Sequence, residues 1–78
     1  MTTIRKSVWN TYSITGYTHQ VGDDARATGG VHLHQVRRGK KGWVRRTVDS
    51  NGRFTSAGRV ESIDDAEGER MFAMAESR

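Results

Sequence analysis

The chain has 78 residues, of which 33% are hydrophobic, with no proline and no cysteine. That length supports one small domain, burying roughly 60% of the surface its unfolded chain exposes, and the lack of cysteine excludes a disulfide framework and a thiolate metal site. No apolar run approaches the ~18 residues of a membrane span, and Met1 to Lys6 lack the apolar region of a signal peptide, so a cytoplasmic protein is expected.

With so few hydrophobic residues the core must be thin, and Trp9, Trp43, Phe54, Phe72, Tyr12 and Tyr17 are expected to carry much of its burial. The net charge of +4 is unevenly spread. Residues 1–60 hold eleven basic against three acidic side chains, whereas residues 61–78 hold two basic against six acidic.

Residues 5–18 are rich in β-branched and aromatic types and predict a first strand. Val8, Tyr12 and Ile14 share one parity and Trp9, Thr11 and Tyr17 the other, so both faces carry bulk. Gly16 marks a bulge or the strand's end. Residues 22–30, with three glycines and the pair Asp23-Asp24, predict an exposed, mobile loop.

A second strand is predicted over 31–37, with Val31 and Leu33 on one face and His32 and His34 on the other. A third is predicted over 43–49, alternating Val44 and Val48 against Trp43, Arg45 and Thr47. Asn51-Gly52 is a strong hairpin signal, because both residues tolerate the positive φ of a type I′ turn. A fourth strand over 53–61 should pair with the third, with a bend or close approach at Gly58.

After Glu61 the pattern becomes helical. Ser62-Ile63-Asp64-Asp65 supplies an N-cap with acids in the first turn, and a helix is predicted over 63–76. Ile63, Ala66, Arg70, Met71 and Met74 lie near one face, which leaves Phe72 as an edge contact or an exposed anchor. Gly68 weakens such a helix by ~1 kcal/mol relative to Ala, so the helix should form only when docked on the sheet. The expected fold is α+β, a four-stranded antiparallel meander with one C-terminal helix packed on one face.

The stretch Arg37-Arg38-Gly39-Lys40-Lys41-Gly42-Trp43-Val44-Arg45-Arg46 holds six of the thirteen basic residues and no acid. Flanked by strands, it predicts a hairpin with a cationic tip, which suits an anionic partner or remains a solvated face. Arg37, Arg38, Lys40, Lys41, Trp43, Arg45, Arg46 and Arg53 are the candidate partner-binding residues. Arg45 shares the parity of Trp43, and an aromatic beside cations is the combination that tracks a nucleic-acid backbone with stacking. Arg46 shares the parity of Val44 and Val48, so it must snorkel, pair with an acid such as Glu61, or sit at an edge.

Other constellations are weaker. His32 and His34 on one strand face would need a third ligand, from His19, Asp23 or Asp24, to hold a metal; two half-exposed strand histidines are the simpler reading, and no metal or cofactor is assigned. There is no Gly-x-Ser-x-Gly elbow, and no Ser/His/Asp set that the sequence gathers in one cleft. A catalytic role is not expected. Gly29-Gly30 and Gly39-x-x-Gly42 lack the strand-to-helix context of a phosphate loop and read as turns. Asp64, Asp65, Glu67 and Glu69 are explained by the helix dipole.

The run Gly42-Trp43-Val44-Arg45-Arg46, then Ser50-Asn51-Gly52-Arg53-Phe54, then Ser62-Ile63-Asp64-Asp65-Ala66-Glu67 resembles the three-strand-plus-helix module of arm-type integrase and AP2-like DNA-binding domains. That resemblance implies a sheet laid in the major groove and a helix buttressing its back. More broadly, a short antiparallel sheet with one helix, no cysteine and no visible active site is similar to small phage and mobile-element proteins. Among these are anti-CRISPR inhibitors, which block a Cas complex by stoichiometric contact. The function expected is non-enzymatic inhibition of that kind, with a Cas protein or effector complex as partner and Trp43, Phe72 or a hairpin arginine as anchor. The alternative is a small basic DNA-binding module using the 37–46 hairpin and the sheet face. Exposed strand edges allow either a monomer or a homodimer.

Overall fold

The centre of the molecule is the hairpin of β2 (Arg26–Gly39) and β3 (Gly42–Asp49), joined by the exposed turn Lys40-Lys41. Gly39 and Gly42 face one another across the turn, and Gly42 takes φ 124°, a conformation that L side chains rarely adopt. The computed structural model describes residues 4–21, 26–55 and 59–78, with backbone alone at 17–21 and 26–29. β1 (Asn10–Val21) pairs antiparallel with β2, and β4 (Glu61–Ile63) pairs antiparallel with β3, giving a four-stranded meander in the order β1-β2-β3-β4. The helix α1 (Asp65–Glu76) follows and lies across β1, β2 and β3 on one face. The expected α+β architecture is therefore present. No helix among the described residues is long and apolar enough to cross a membrane.

Several boundaries differ from expectation. The first strand begins at Asn10 rather than near residue 5, because the Asn10 amide donates to the Arg5 carbonyl at 2.6 Å and the Val8 carbonyl at 3.0 Å and holds a turn there. Both β1 and β2 run on past the sheet: residues 17–21 pair with 26–30, part of the expected loop, and β3 reaches no further than His32. Twelve residues at ~3.3 Å each make a strand of about 40 Å, which accounts for the 48 Å long axis of the molecule. Residues 22–25 of the expected loop lie outside the described residues, as does Gly58.

Among the described residues of the strand expected over 53–61, Phe54 makes one isolated bridge to Val48 and regular pairing is found at Glu61–Ile63. The turn before it is also not a two-residue hairpin. The Gly52 N–H donates to the Asp49 carbonyl at 3.0 Å and the Asp49 N–H to the Arg53 carbonyl at 2.8 Å, with Gly52 at φ 81°. That is a three-residue loop with glycine in the left-handed position. The Asp49 carboxylate tightens it by accepting from the Asn51 and Arg53 N–H groups.

Tyr12 and Ile14, expected on one face, lie on opposite faces. A β-bulge between Thr11 and Ser13 adds one residue to β1, so parity resets there. Tyr12 packs on the core beneath the helix, while Ile14 sits opposite Leu33 on the other side of the sheet and is 46% exposed.

The core is small. Val36, Trp43, Met71 and Phe72 form its buried cluster, with Ile4, Tyr12 and Ile63 at its margin. The helix is capped at Asp64, whose carboxylate accepts from the Glu67 N–H at 2.7 Å, so it starts two residues later than expected and Ile63 belongs to the sheet. Its buried stripe is Gly68, Met71, Phe72 and Ala75, spaced i, i+3, i+4, i+7, and the expected stripe member Met74 is exposed. Gly68 explains the rotation. The Trp43 indole lies directly against the Gly68 backbone, and a methyl group built there would overlap its Cγ, Cδ2 and Cβ.

Candidate functional site

Residues directly opposite one another in an antiparallel ladder share a face, and the register sorts the basic residues accordingly. The helix-covered face carries Arg38, Val36, His34 and His32 on β2 opposite Trp43, Arg45, Thr47 and Asp49 on β3. The helix-free face carries Arg37, Gln35 and Leu33 opposite Val44, Arg46 and Val48.

On the helix-covered face two cations, Arg45 and Lys6, are matched by acids. Arg45 donates to the Glu61 carboxylate from Nη2 at 2.9 Å and from Nε at 3.2 Å. These bonds, with a further one to Tyr12, raise the Arg45 pKa above the usual arginine value. Arg45, not Arg46, is thus the partner of Glu61. Lys6 pairs with Glu69 at 3.3 Å and lies within 6 Å of the rings of both Trp43 (5.9 Å) and Phe72 (5.5 Å). The N-terminal segment is tied down by the Arg38 N–H, which donates to the Lys6 carbonyl at 2.7 Å. Trp43 is only 1% exposed and stands 5.9 Å from Phe72, centroid to centroid. Neither aromatic can anchor a partner while the helix is docked.

The helix-free face is built differently. Trp9, expected to be core, lies there half-buried with the Arg46 guanidinium 4.3 Å and the Arg37 guanidinium 5.1 Å from its ring centroid. A three-strand relay fixes Arg46: its Nε donates to the Gln35 amide oxygen at 2.8 Å, and the Gln35 amide nitrogen donates to the Thr11 hydroxyl at 3.1 Å. Arg46 thus neither snorkels nor pairs with an acid. Burial first, and the neighbouring Arg37 charge second, push its pKa below the usual arginine value. The Arg37 Nε is buried and has no hydrogen-bond partner among the described residues. Two guanidiniums held together with no carboxylate paired to them among the described residues form a site short of an anion.

Towards the hairpin end this cluster continues into Arg37, Lys40 and Lys41, with Arg38 on the opposite face. Among the described residues no ion pair reaches Arg37, Arg38, Lys40, Lys41 or Arg46. Arg53 lies in the turn beside Asp49, at the far end of β3, and contributes to lowering the Asp49 pKa. In the other direction the helix-free face turns apolar, with Ile14, Leu33, Val48 and Phe54 opposite one another across the sheet.

Of the eight residues singled out from sequence, Arg37 and Arg46 come together on the helix-free face, and Lys40 and Lys41 stand exposed in the turn at the hairpin end. Trp43 and Arg45 are committed to the core and to Glu61, and Arg38 and Arg53 lie apart. Trp9 was missed as a site residue because its neighbours in sequence are uncharged; only the register brings Arg37 and Arg46 beside it. His34 spends both ring nitrogens on threonine hydroxyls, Nε2 on Thr15 at 2.9 Å and Nδ1 on Thr47 at 3.3 Å. Among the described residues no group of three metal-ligating side chains occurs; the His19 side chain, Asp23 and Asp24 lie outside them.

No family model, no curated protein and no solved structure matches this chain.

Proposed function

We propose that this chain is a non-enzymatic nucleic-acid-binding module that engages its ligand with the helix-free sheet face and the cationic hairpin end. The observation that carries the reading is the pair of guanidiniums, Arg37 and Arg46, held on Trp9 with, among the described residues, no acid partner and no hydrogen-bond partner for the buried Arg37 Nε. Keeping two like charges together and partly desolvated costs stability. A phosphate placed between them would remove that cost and satisfy the orphan donor, because guanidinium groups match phosphate oxygens in both charge and geometry. Lys40 and Lys41 add point charges that track a backbone without reading its sequence. An inhibitor of a protein complex is less well supported, since Trp43 and Phe72, its aromatic anchors, are in the core.

The test is fluorescence anisotropy of labelled single-stranded and duplex oligonucleotides at about 50 and about 200 mM salt, the range over which phosphate contacts reveal themselves. Micromolar or tighter binding that collapses at the higher salt is expected. The double variant Lys40→Gln/Lys41→Gln should weaken binding to every sequence and lower the salt slope by about two units. No binding at either salt would overturn the reading.

A further inference from the structure

The two edges of the sheet are finished in different ways. β4 is an edge of three residues, Glu61–Ile63, flanked by Arg59 on one side and Asp64 and Asp65 on the other. Shortness and charge are the usual means by which an edge is kept from pairing with another strand. β1 has neither. It runs for twelve residues, Asn10–Val21, and its sequence Asn-Thr-Tyr-Ser-Ile-Thr-Gly-Tyr-Thr-His-Gln-Val contains no lysine, arginine, aspartate, glutamate or proline. Residues 7–22 are the longest charge-free run in a chain that is 28% charged. The nearest rival, 27–36, lies in β2, where residues 32–36 are paired on both sides. The outer edge of β1 therefore has the composition of an inner strand, and among the described residues no backbone hydrogen bond from outside the sheet reaches it.

We infer that a second copy of this chain pairs with β1, antiparallel and edge to edge. The occupant follows from symmetry and charge. Antiparallel pairing of a strand with itself is isologous: a two-fold axis normal to the sheet matches each residue with its counterpart, so no separate complementary surface is required. Each copy carries net charge +4, and β1 is where two such copies meet without apposing like charges. An acidic or basic partner strand would find no counter-charge there. The product is a continuous sheet of two four-stranded halves. Because the axis is normal to the sheet, both helices lie on one side and both Trp9–Arg37–Arg46 clusters on the other. Trp9 immediately precedes β1, so the two clusters stand towards opposite ends of the paired strands, and the dimer presents one broad cationic face.

The absence of cysteine makes the geometry directly testable. Single variants Ser13→Cys, Ile14→Cys, Thr15→Cys, Gly16→Cys and Tyr17→Cys scan the strand, and Gly16 has open space where a Cβ would stand. In an antiparallel two-fold pair, moving the cysteine two residues along moves it and its mate apart by about four residue steps, roughly 13 Å. Rapid disulfide formation confined to one position or two neighbours is expected, together with a concentration-dependent dimer of the unmodified chain by sedimentation velocity. Ile14→Lys, at an exposed site, should return the protein to monomer while its circular dichroism is unchanged. A monomer at every concentration would overturn the inference. So would equal cross-linking at all five positions, or a dimer that Ile14→Lys does not weaken. Dimerisation can be tested apart from nucleic-acid binding, since Lys40→Gln/Lys41→Gln removes hairpin cations and leaves the β1 edge intact.

Discussion

The two tryptophans stand on opposite faces of one sheet, Trp43 with one cation over its ring and Trp9 with two, and they serve opposite ends. Trp43 is sealed against Gly68 and Phe72, and the cation above it, Lys6, is matched by Glu69. Trp9 is half-buried, and among the described residues the two cations on it are matched by no acid. The same residue types thus make a closed, charge-balanced core on one side and an open, charge-unbalanced surface on the other. Charge balance, more than aromatic content, separates the part that holds the fold together from the part that is free to bind.

The strongest way to break this contrast is from the core side. Trp43→Ala should cost about 3–5 kcal/mol, comparable to the whole stability of so small a domain, and thermal unfolding should show little or no folded protein. Gly68→Ala is the sharper experiment. Helix propensity alone would make it stabilising by ~1 kcal/mol, yet the added methyl group falls on the Trp43 ring. Overpacking of this kind typically costs about 1–3 kcal/mol, so the net effect should be a lower midpoint in urea. A stabilised Gly68→Ala protein would mean that the helix does not rest on Trp43 through that glycine.

From the other side, Trp9→Ala should leave most of the stability in place, losing about 0.5–1 kcal/mol for each cation–π contact. Its effect on binding should be larger. Loss of a stacking platform and of the frame that holds Arg37 and Arg46 should weaken nucleic-acid affinity by about tenfold, within the ~1–3 kcal/mol carried by one aromatic contact to a base. Anisotropy and urea unfolding on the same preparation separate the two effects. Equal binding by Trp9→Ala and the parent chain would remove Trp9 from the site.

How much of this was legible in the sequence depends on the range of the interactions involved. The hairpin around Lys40-Lys41, an N-cap within residues 62–65 and the C-terminal helix are local, set by turn glycines, capping side chains and helix formers within a few residues. The faces of the sheet are not local. One extra residue at the Thr11–Ser13 bulge separates Tyr12 from Ile14. Neither tryptophan's role can be read without the register of β2 against β3 and the axial rotation of α1. Gly68 reads as a weakness in a helix considered alone and as a seat for Trp43 once the sheet is beside it. The assignment of Glu61 to Arg45 rather than Arg46 has the same origin, since it needs β4 to start at Glu61 and not end there.

The smallest effect tests charge balance directly, through pH. Asp49 is held below the usual carboxylate pKa, chiefly by the hydrogen bond its carboxylate accepts from the Arg53 N–H, then by that from Asn51, with the charges of Arg53 and His32 adding to both. A carboxylate with a lowered folded-state pKa contributes stability that is fully present above its unfolded pKa of about 3.9 and is lost as pH falls through the lower, folded value. Melting temperature should therefore decline on acidification below about pH 4, where Asp49 begins to titrate in the unfolded chain. Asp49→Asn, which retains an acceptor but no charge, should flatten that part of the profile and lower stability slightly at neutral pH. Binding at neutral pH should not respond, because Asp49 faces the helix-covered side while Arg37 and Arg46 face the other. A change in affinity without a change in melting temperature would show that the turn at Asp49 touches the ligand and that the two faces are not independent.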